Sequence, residues 1–281
     1  MANTINQKDL EGQSILLKTK PRLEHIALNV SDPISIAKWY CEHLGMRMIR
    51  KSLPPTNAHF ISDSASKIMF ELYNNAIAPV LDFASLNPLC LHLAFISDDL
   101  EAIRNSLVTI GAKVVDDITT IPNGDQILMM RDPWGLSIQF VKRFTSMLKP
   151  MSMRPEHFGF NVLDPERMTK WYCDNLEMKV MRKGTPPTYT NFFSDAGSNM
   201  MLEVYNNSAA PALDMASINL LSLHIAFITD DIKTVRNVLL NAEATLLEEI
   251  KTLDNGDLIM ILRDPWSVPI QFLKRAESML K

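Results

Sequence analysis

The chain has no apolar run approaching the ~18 residues a membrane-crossing helix needs, so no helical span is expected. It also lacks a Lys/Arg cluster. With 28 basic against 32 acidic residues, a net charge of −4 and a pI near 5.9, it carries no electrostatic footprint for nucleic acid. The start, MANTINQKDLEGQSILLKTK, shows neither the apolar core nor the cleavage site of a signal peptide. Cysteine is scarce: Cys41, Cys90 and Cys173 leave one thiol unpaired in any scheme. Cys41 and Cys173 take matching helix positions and read as buried thiols of a reducing compartment rather than a disulfide framework. There is no glycine-rich phosphate loop and no nucleophile elbow. The expectation is a cytoplasmic protein with no nucleic-acid or membrane partner, a monomer or homodimer acting on a small molecule.

What the chain does have is a repeat. RLEHIALNVSDPISIAKWYCEHLGMRMIRK, from Arg22 to Lys51, returns as RPEHFGFNVLDPERMTKWYCDNLEMKVMRK, from Arg154 to Lys183. The offset is 132 (157 − 25) and holds for His25/His157, Glu71/Glu203, His92/His224 and Gln139/Gln271. Roughly half the aligned positions are identical, the signature of an internal duplication. With 281 residues, at roughly 150 per domain, we expect two domains, 21–149 and 150–281, behind an extension at 1–20. The junction near Pro150 is so short that the two are expected to pack directly on each other.

Each copy reads as strand, helix and three strands, done twice. In the opening strand His25, Ala27 and Asn29 share one face and Ile26, Leu28 and Val30 the other. The second copy divides His157, Gly159 and Asn161 from Phe158, Phe160 and Val162 in the same way. A strand that packs one apolar face and lays a His, a small residue and an Asn on the other lines a cavity. Asp32 is placed to cap a helix with Pro33 in its first turn, burying Ile36, Trp39, Tyr40 and Leu44. After the linker NNAIAPVLDFASLNP the pattern repeats from LCLHLAFIS, with Asn123-Gly124 and Asp132-Pro133 as turns.

Four polar residues per copy fall in mid-strand, where apolar ones are expected: His25, Glu71, His92 and Gln139, then His157, Glu203, His224 and Gln271. His25 and Glu71 are 46 apart (71 − 25) and His92 and Gln139 are 47 apart (139 − 92), so each half-copy offers a His on its first strand and a Glu or Gln on its last. A pseudo-two-fold between halves would bring two imidazoles, a carboxylate and an amide oxygen to one cleft. That donor set suits a divalent transition ion (Ni, Co, Zn, Mn or Fe(II)) with water or substrate completing the shell. A lone strand His is more often a hydrogen-bonded core residue, but four symmetric polar residues kept in both copies are poorly explained by packing. The pairing is open: halves of one copy, or His25 and Glu71 with His224 and Gln271, give the same ligand set. His59, matched by Asn191, lies on a strand read as lining the cleft. Arg50, Lys51, Arg182 and Lys183 read as solvated strand ends, Trp134 and Trp266 as structural packing, and the 17 methionines as core filler rather than copper ligands.

The segments EHIALNVSDP…WYCEHLGM and RDPWGLSIQF resemble the vicinal oxygen chelate superfamily, which includes glyoxalase I, methylmalonyl-CoA epimerase, extradiol dioxygenases and bleomycin resistance proteins. The resemblance runs from about Pro21 to Lys281. It implies an α+β fold: a tandem duplication of paired βαβββ modules, four in all, each pair forming a curved sheet around a cleft. HIALNVSDPISIAKWYCEHLGMRMIRK and FELYNN look most like glyoxalase I, where Glu71 matches a metal-bound Glu and Asn75 a glutathione-contacting Asn. Two positions depart from that enzyme: Gln139 stands where it has a Glu base, and Asn29 where it has an Arg that helps anchor glutathione. The leading expectation is a metal-dependent lyase or isomerase working through a chelated enediolate, with Glu71 and Glu203 as proton shuttles. The alternatives are an extradiol-type dioxygenase using Fe(II) or Mn(II), and a non-catalytic small-molecule binding protein of the bleomycin-resistance kind.

Overall fold

The computed structural model describes residues 21–149 and 153–281; the N-terminal extension and Pro150 at the junction lie outside them. The first copy holds β1 (Arg22–Asn29), α1 (Pro33–His43), β2 (Arg47–Lys51), β3 (His59–Ser62) and β4 (Met69–Tyr73), then β5 (Leu91–Ile96), α2 (Leu100–Thr109), β6 (Lys113–Thr120), β7 (Gln126–Arg131) and β8 (Ser137–Lys142). The second holds β9 (Arg154–Asn161), α3 (Pro165–Leu176), β10 (Lys179–Lys183), β11 (Asn191–Ser194) and β12 (Met201–Tyr205), then β13 (Leu223–Ile228), α4 (Ile232–Asn241), β14 (Thr245–Thr252), β15 (Leu258–Arg263) and β16 (Pro269–Lys274). These are the four βαβββ modules the repeat implies.

Each helix starts on an aspartate. Asp32, Asp99, Asp164 and Asp231 accept from the backbone N–H groups of Ser35, Ala102, Arg167 and Thr234, satisfying donors that a helix start leaves free. Pro33 and Pro165 follow the caps of α1 and α3, where a missing N–H costs nothing. Gly45, at φ +67°, supplies the left-handed turn just past α1.

The sheets decide how the modules combine. One runs β14-β15-β16-β13-β1-β4-β3-β2 and the other β10-β11-β12-β9-β5-β8-β7-β6. β1 therefore pairs antiparallel with β13 and β9 with β5, so each sheet takes one module from each copy. Of the two pairings open in the sequence, the exchanged one is realised.

The modules of one copy meet on the helix-covered side instead. The rings of Tyr40, Phe70 and Phe95 pack edge-on at 6.1–6.4 Å, and Trp39 meets Trp134 at 6.4 Å. Trp171 meets Trp266 at the same distance in the second copy, so both turn tryptophans are packing residues. Strand alternation explains the division: Ile26 and Leu28 join this core while His25 and Ala27 face the other way. Cys90 is buried, but Cys41 and Cys173 are only half-buried, a correction to the expectation for the helix pair, which packs at the edge of its core rather than inside it. All three thiols are free.

A buried polar contact ties the modules of each copy together: Tyr40 donates to Asp132 at 3.1 Å and Tyr172 to Asp264 at 2.9 Å. Burial pushes the Asp264 carboxyl up to about 7, against the hydrogen bonds that favour its ionised form. A folded-state value above the unfolded ~3.9 means this group favours the fold most at low pH, and its contribution is lost as pH rises through about 7. Tyr172→Phe removes a donor to the ionised carboxylate. It is expected to cost ~1–2 kcal/mol in urea unfolding, with a larger loss at pH 8 than at pH 5.

Candidate metal centres

Sheet register gathers the mid-strand polar residues into two clusters. In the first sheet His25 stands beside Met69 and Ala226, and Ala226 beside Gln271; two residues along, Glu71, Ala27 and His224 form the next row. In the second sheet the rows are Met201, His157, Ala94 and Gln139, then Glu203, Gly159 and His92. Residues two apart on a strand share a face, so both rows of each sheet look into one concavity. The structure thus brings His25, Glu71, His224 and Gln271 together, and likewise His157, Glu203, His92 and Gln139. It does not bring together the quartet of a single copy, because the sheet partner of each module lies in the other copy.

The second cluster is the tighter one. His92 Nε2, His157 Nε2 and Glu203 Oε2 form a triangle with 3.2 Å sides. In the first, His25 Nε2 lies 3.2 Å from Glu71 Oε2, while His224 stands back, within 4.8 Å of both. The imidazole centroids are 5.3 Å apart in the second cluster and 5.7 Å in the first.

Behind each cluster is a chain of charge that the sequence reading missed. Glu24 Oε2 accepts from His25 Nδ1 at 2.9 Å and is itself held by Arg275, which also holds Asp257. Glu156, His157, Arg143 and Asp125 repeat the arrangement. A register shift at each glutamate, between Leu23 and His25 and opposite Ala94 and Phe95, marks a β-bulge. The bulge brings a carboxylate beside the imidazole that follows it in sequence. The available signal was the Glu-His pair at the same place in both copies.

The electrostatics follow from this wiring. Burial raises the carboxyls of Glu24 and Glu156, but their His and Arg partners outweigh it and hold both near 2. Burial lowers His25 and His157, and their two carboxylate neighbours reverse this and raise them. His224 is pushed down to about 4 by burial and by the charge of His25, and His92 also falls, through burial first. Glu71 and Glu203 stay below the ordinary carboxylate value because their imidazoles outweigh burial, so both are ionised near neutrality.

The donor set fits a metal ion. His25 Nε2, His224 Nε2 and Glu203 Oε2 are buried without a hydrogen-bond partner, which costs ~1–3 kcal/mol per group unless something satisfies it. The 3.2 Å contacts of His25 Nε2 with Glu71, and of Glu203 Oε2 with His92 and His157, lack hydrogen-bond alignment and are those of donors facing a common point within each cluster. Neighbouring donors around one ion at ~2.1 Å stand ~3 Å apart, close to the triangle seen here. With Nδ1 bonded to a carboxylate, each of His25 and His157 keeps Nε2 toward that point, the usual orientation of a metal-binding imidazole.

The first cluster opens into a pocket of roughly 180 Å³ lined by Thr56, Ala58, Tyr73, Asn75, Leu221 and the three residues Glu71, His224 and Gln271. Asn29 does not reach into it. Its side chain donates to the carbonyl of Ala78 and accepts from Asn75 N–H, fastening the linker, as Asn161 does in the second copy. His59 is also outside the cleft: alternation puts Phe60 there, 6.4 Å from the His25 ring, and leaves His59 buried on the other face, bonded to the carbonyl of Asn57. Arg182 is engaged with Asp125 and the carbonyl of Thr145, and Arg50 lies over the Phe60 ring at 5.6 Å.

With this geometry in place, comparison with known proteins is decisive for family. A model of the Glyoxalase/Bleomycin resistance protein/Dioxygenase superfamily matches residues 22–140 and again 154–272. The chain belongs to that superfamily. Among solved structures, glyoxalase I from Zea mays is similar, at 20% identity over 92% of this chain and 94% of that one, with a TM-score of 0.74. A mutant of the same enzyme gives 19%, 95%, 96% and 0.77. A putative dioxygenase from Bacillus subtilis is also similar, at 12% identity over 93% of this chain and 87% of that one, with a TM-score of 0.64. At these identities the likeness is one of fold. No curated protein matches the sequence.

Glu156→Gln weakens the support behind His157 while keeping its volume. It is expected to lower the affinity of the second cluster for a divalent ion ~10–100-fold, read by competition with a chromogenic chelator, and to leave the first cluster unchanged.

Proposed function

We propose that the chain is a metal-dependent lyase or isomerase of glyoxalase or epimerase type, with one centre at His25, Glu71, His224 and Gln271 and another at His157, Glu203, His92 and Gln139. The observation that carries the reading is the convergence of two imidazoles and one carboxylate on a common point in each concave sheet, with an amide residue in the next row. A bound divalent ion would supply Lewis acidity toward two adjacent oxygens of a small substrate.

The rest falls to the chain's own groups. Glu71 and Glu203 are ionised, and each stands at the edge of its donor set as the candidate that takes and returns a proton. Gln271 and Gln139 cannot exchange a proton near neutrality, so they serve only as oxygen donors or orienting groups. In the first cleft, Tyr73 and Asn75 give the pocket a polar wall beside Glu71, and Leu221 an apolar one. Among the described residues that line the pocket, Glu71 is the only formally charged one. This sits with Asn29, which is committed to the linker rather than to a ligand.

A second reading has one observation behind it. Two imidazoles and one carboxylate at the corners of a 3.2 Å triangle are the donor set of non-haem Fe(II) oxygenases. An extradiol-type dioxygenase would consume oxygen on addition of a catechol; the lyase or isomerase would not. A protein that only binds its ligand would do neither.

The test of the metal reading is elemental mass spectrometry on wild type and on a His92→Ala, His224→Ala double variant, which removes one imidazole from each centre. Near two transition ions per chain in the first and loss in the second is the expected outcome; no ion after reconstitution overturns it. Replacing Glu71 and Glu203 with Gln is expected to abolish turnover, and unchanged activity would remove both from the proton-shuttle role.

A further inference from the structure

The two centres differ by one methyl group at the position where their donors meet. Between Glu203 and His92 the row passes through Gly159; between Glu71 and His224 it passes through Ala27. A Cβ built on Gly159 would lie 2.4 Å from His92 Cε1, 2.5 Å from His92 Nε2 and 2.6 Å from Glu203 Oε2. The space a methyl needs is therefore the space in which the second cluster's donors converge. In the first cluster that methyl is present, fully buried, and His224 stands back from the His25–Glu71 pair. Gly159 sits at an ordinary extended φ in mid-strand, so its backbone does not demand glycine; the close approach of side chains does.

We infer that the two metal centres are inequivalent and that residues 27 and 159 set the difference: the Gly159 centre holds its ion tightly in a preformed three-donor triangle, and the Ala27 centre holds its ion more weakly. The inference rests on the metal reading above. Three donors already 3.2 Å apart bind with little rearrangement, whereas His224 has to advance past the Ala27 methyl before it can share an ion with His25 and Glu71. The residues directly behind the imidazoles repeat, Glu24 with Arg275 and Glu156 with Arg143, although Arg182 also meets Asp125 in the second line. The Ala27 centre opens into the pocket beside Thr56 and Asn75.

The experiment is a zinc titration of the chelator-stripped full chain against a chromogenic competitor, repeated on single variants whose fold is checked by circular dichroism. Wild type is expected to bind in two steps whose affinities differ at least ~10-fold. His92→Ala should remove the tighter step and His224→Ala the weaker one. Gly159→Ala should weaken the tighter step ~10-fold or more, and Ala27→Gly should strengthen the weaker one toward it. Ala27→Gly alone decides the matter if Gly159→Ala fails to fold. Two steps of equal affinity overturn the inequivalence and leave the metal reading standing. A tight step that survives His92→Ala, or an Ala27→Gly variant with an unchanged weaker step, overturns the role assigned to the methyl. A chain that binds no zinc at all overturns both the metal reading and this inference.

Discussion

Both clusters depend on the antiparallel seams where β1 meets β13 and β9 meets β5. Each seam sets Ala27 opposite His224, or Gly159 opposite His92, and so brings an imidazole from one copy to a carboxylate from the other. Strand pairing has a side-chain period of two, so a slip of one residue would turn the donors of the slipped strand to the helix-covered core. The register is held from both faces. Ile26, Leu28 and Ile225 must stay in the apolar core for the same reason that His25, Ala27 and His224 must stay out of it. The hydrophobic effect here fixes chemistry indirectly, by leaving the polar residues only one face to occupy.

Burying three ionisable donors per cleft, with a glutamate behind them, is costly unless each has a partner. The chain meets this with a continuous line of alternating charge, from Asp257 through Arg275 and Glu24 to His25 and on to Glu71. Its counterpart runs from Asp125 through Arg143, Glu156 and His157 to Glu203. Each line starts at an Asn-Gly-Asp turn at the head of a strand hairpin and ends inside the cleft. The guanidinium of each line is buried and makes paired contacts to a carboxylate, the geometry in which such interactions are strongest. This support lies within the same sheet as the donors it serves, so the turn, the bulge and the imidazole are tied together by hydrogen bonds.

Much of this was legible in the chain. Period-two alternation in RLEHIALN placed His25 and Ala27 on the face opposite Ile26 and Leu28, and the 132-residue offset (157 − 25) located the second set. Asp-Pro pairs marked helix starts because their chemistry is local. Three things were not legible, for definite reasons. The exchange of modules was hidden because both pairings yield two imidazoles, one Glu and one Gln. The bulges at Glu24 and Glu156 were hidden because a bulge is a mismatch between two strands, and one strand's sequence does not contain its partner's register. Which residue of β3 faces the cleft was hidden because the strand is only four residues long, too short for its alternation to reveal the face; Phe60, not His59, holds the cleft side.

The exchange of modules has a physical consequence for the duplication itself. Within a copy the two modules share an aromatic core and a Tyr–Asp contact but no cleft; across copies they share a cleft. A single copy therefore carries half the donors of each cluster and presents an unpaired strand edge at β1 and β5, an edge that native sheets pair or cover. Two separate copies could satisfy those edges only as a symmetric dimer with two identical clefts, since both would be built from the same residues. Joining the copies in one chain removes that symmetry requirement. Ala27 and Gly159 can then differ without any change elsewhere, because each belongs to one cleft alone. The single methyl that separates the two clusters is a difference that only the fused arrangement allows.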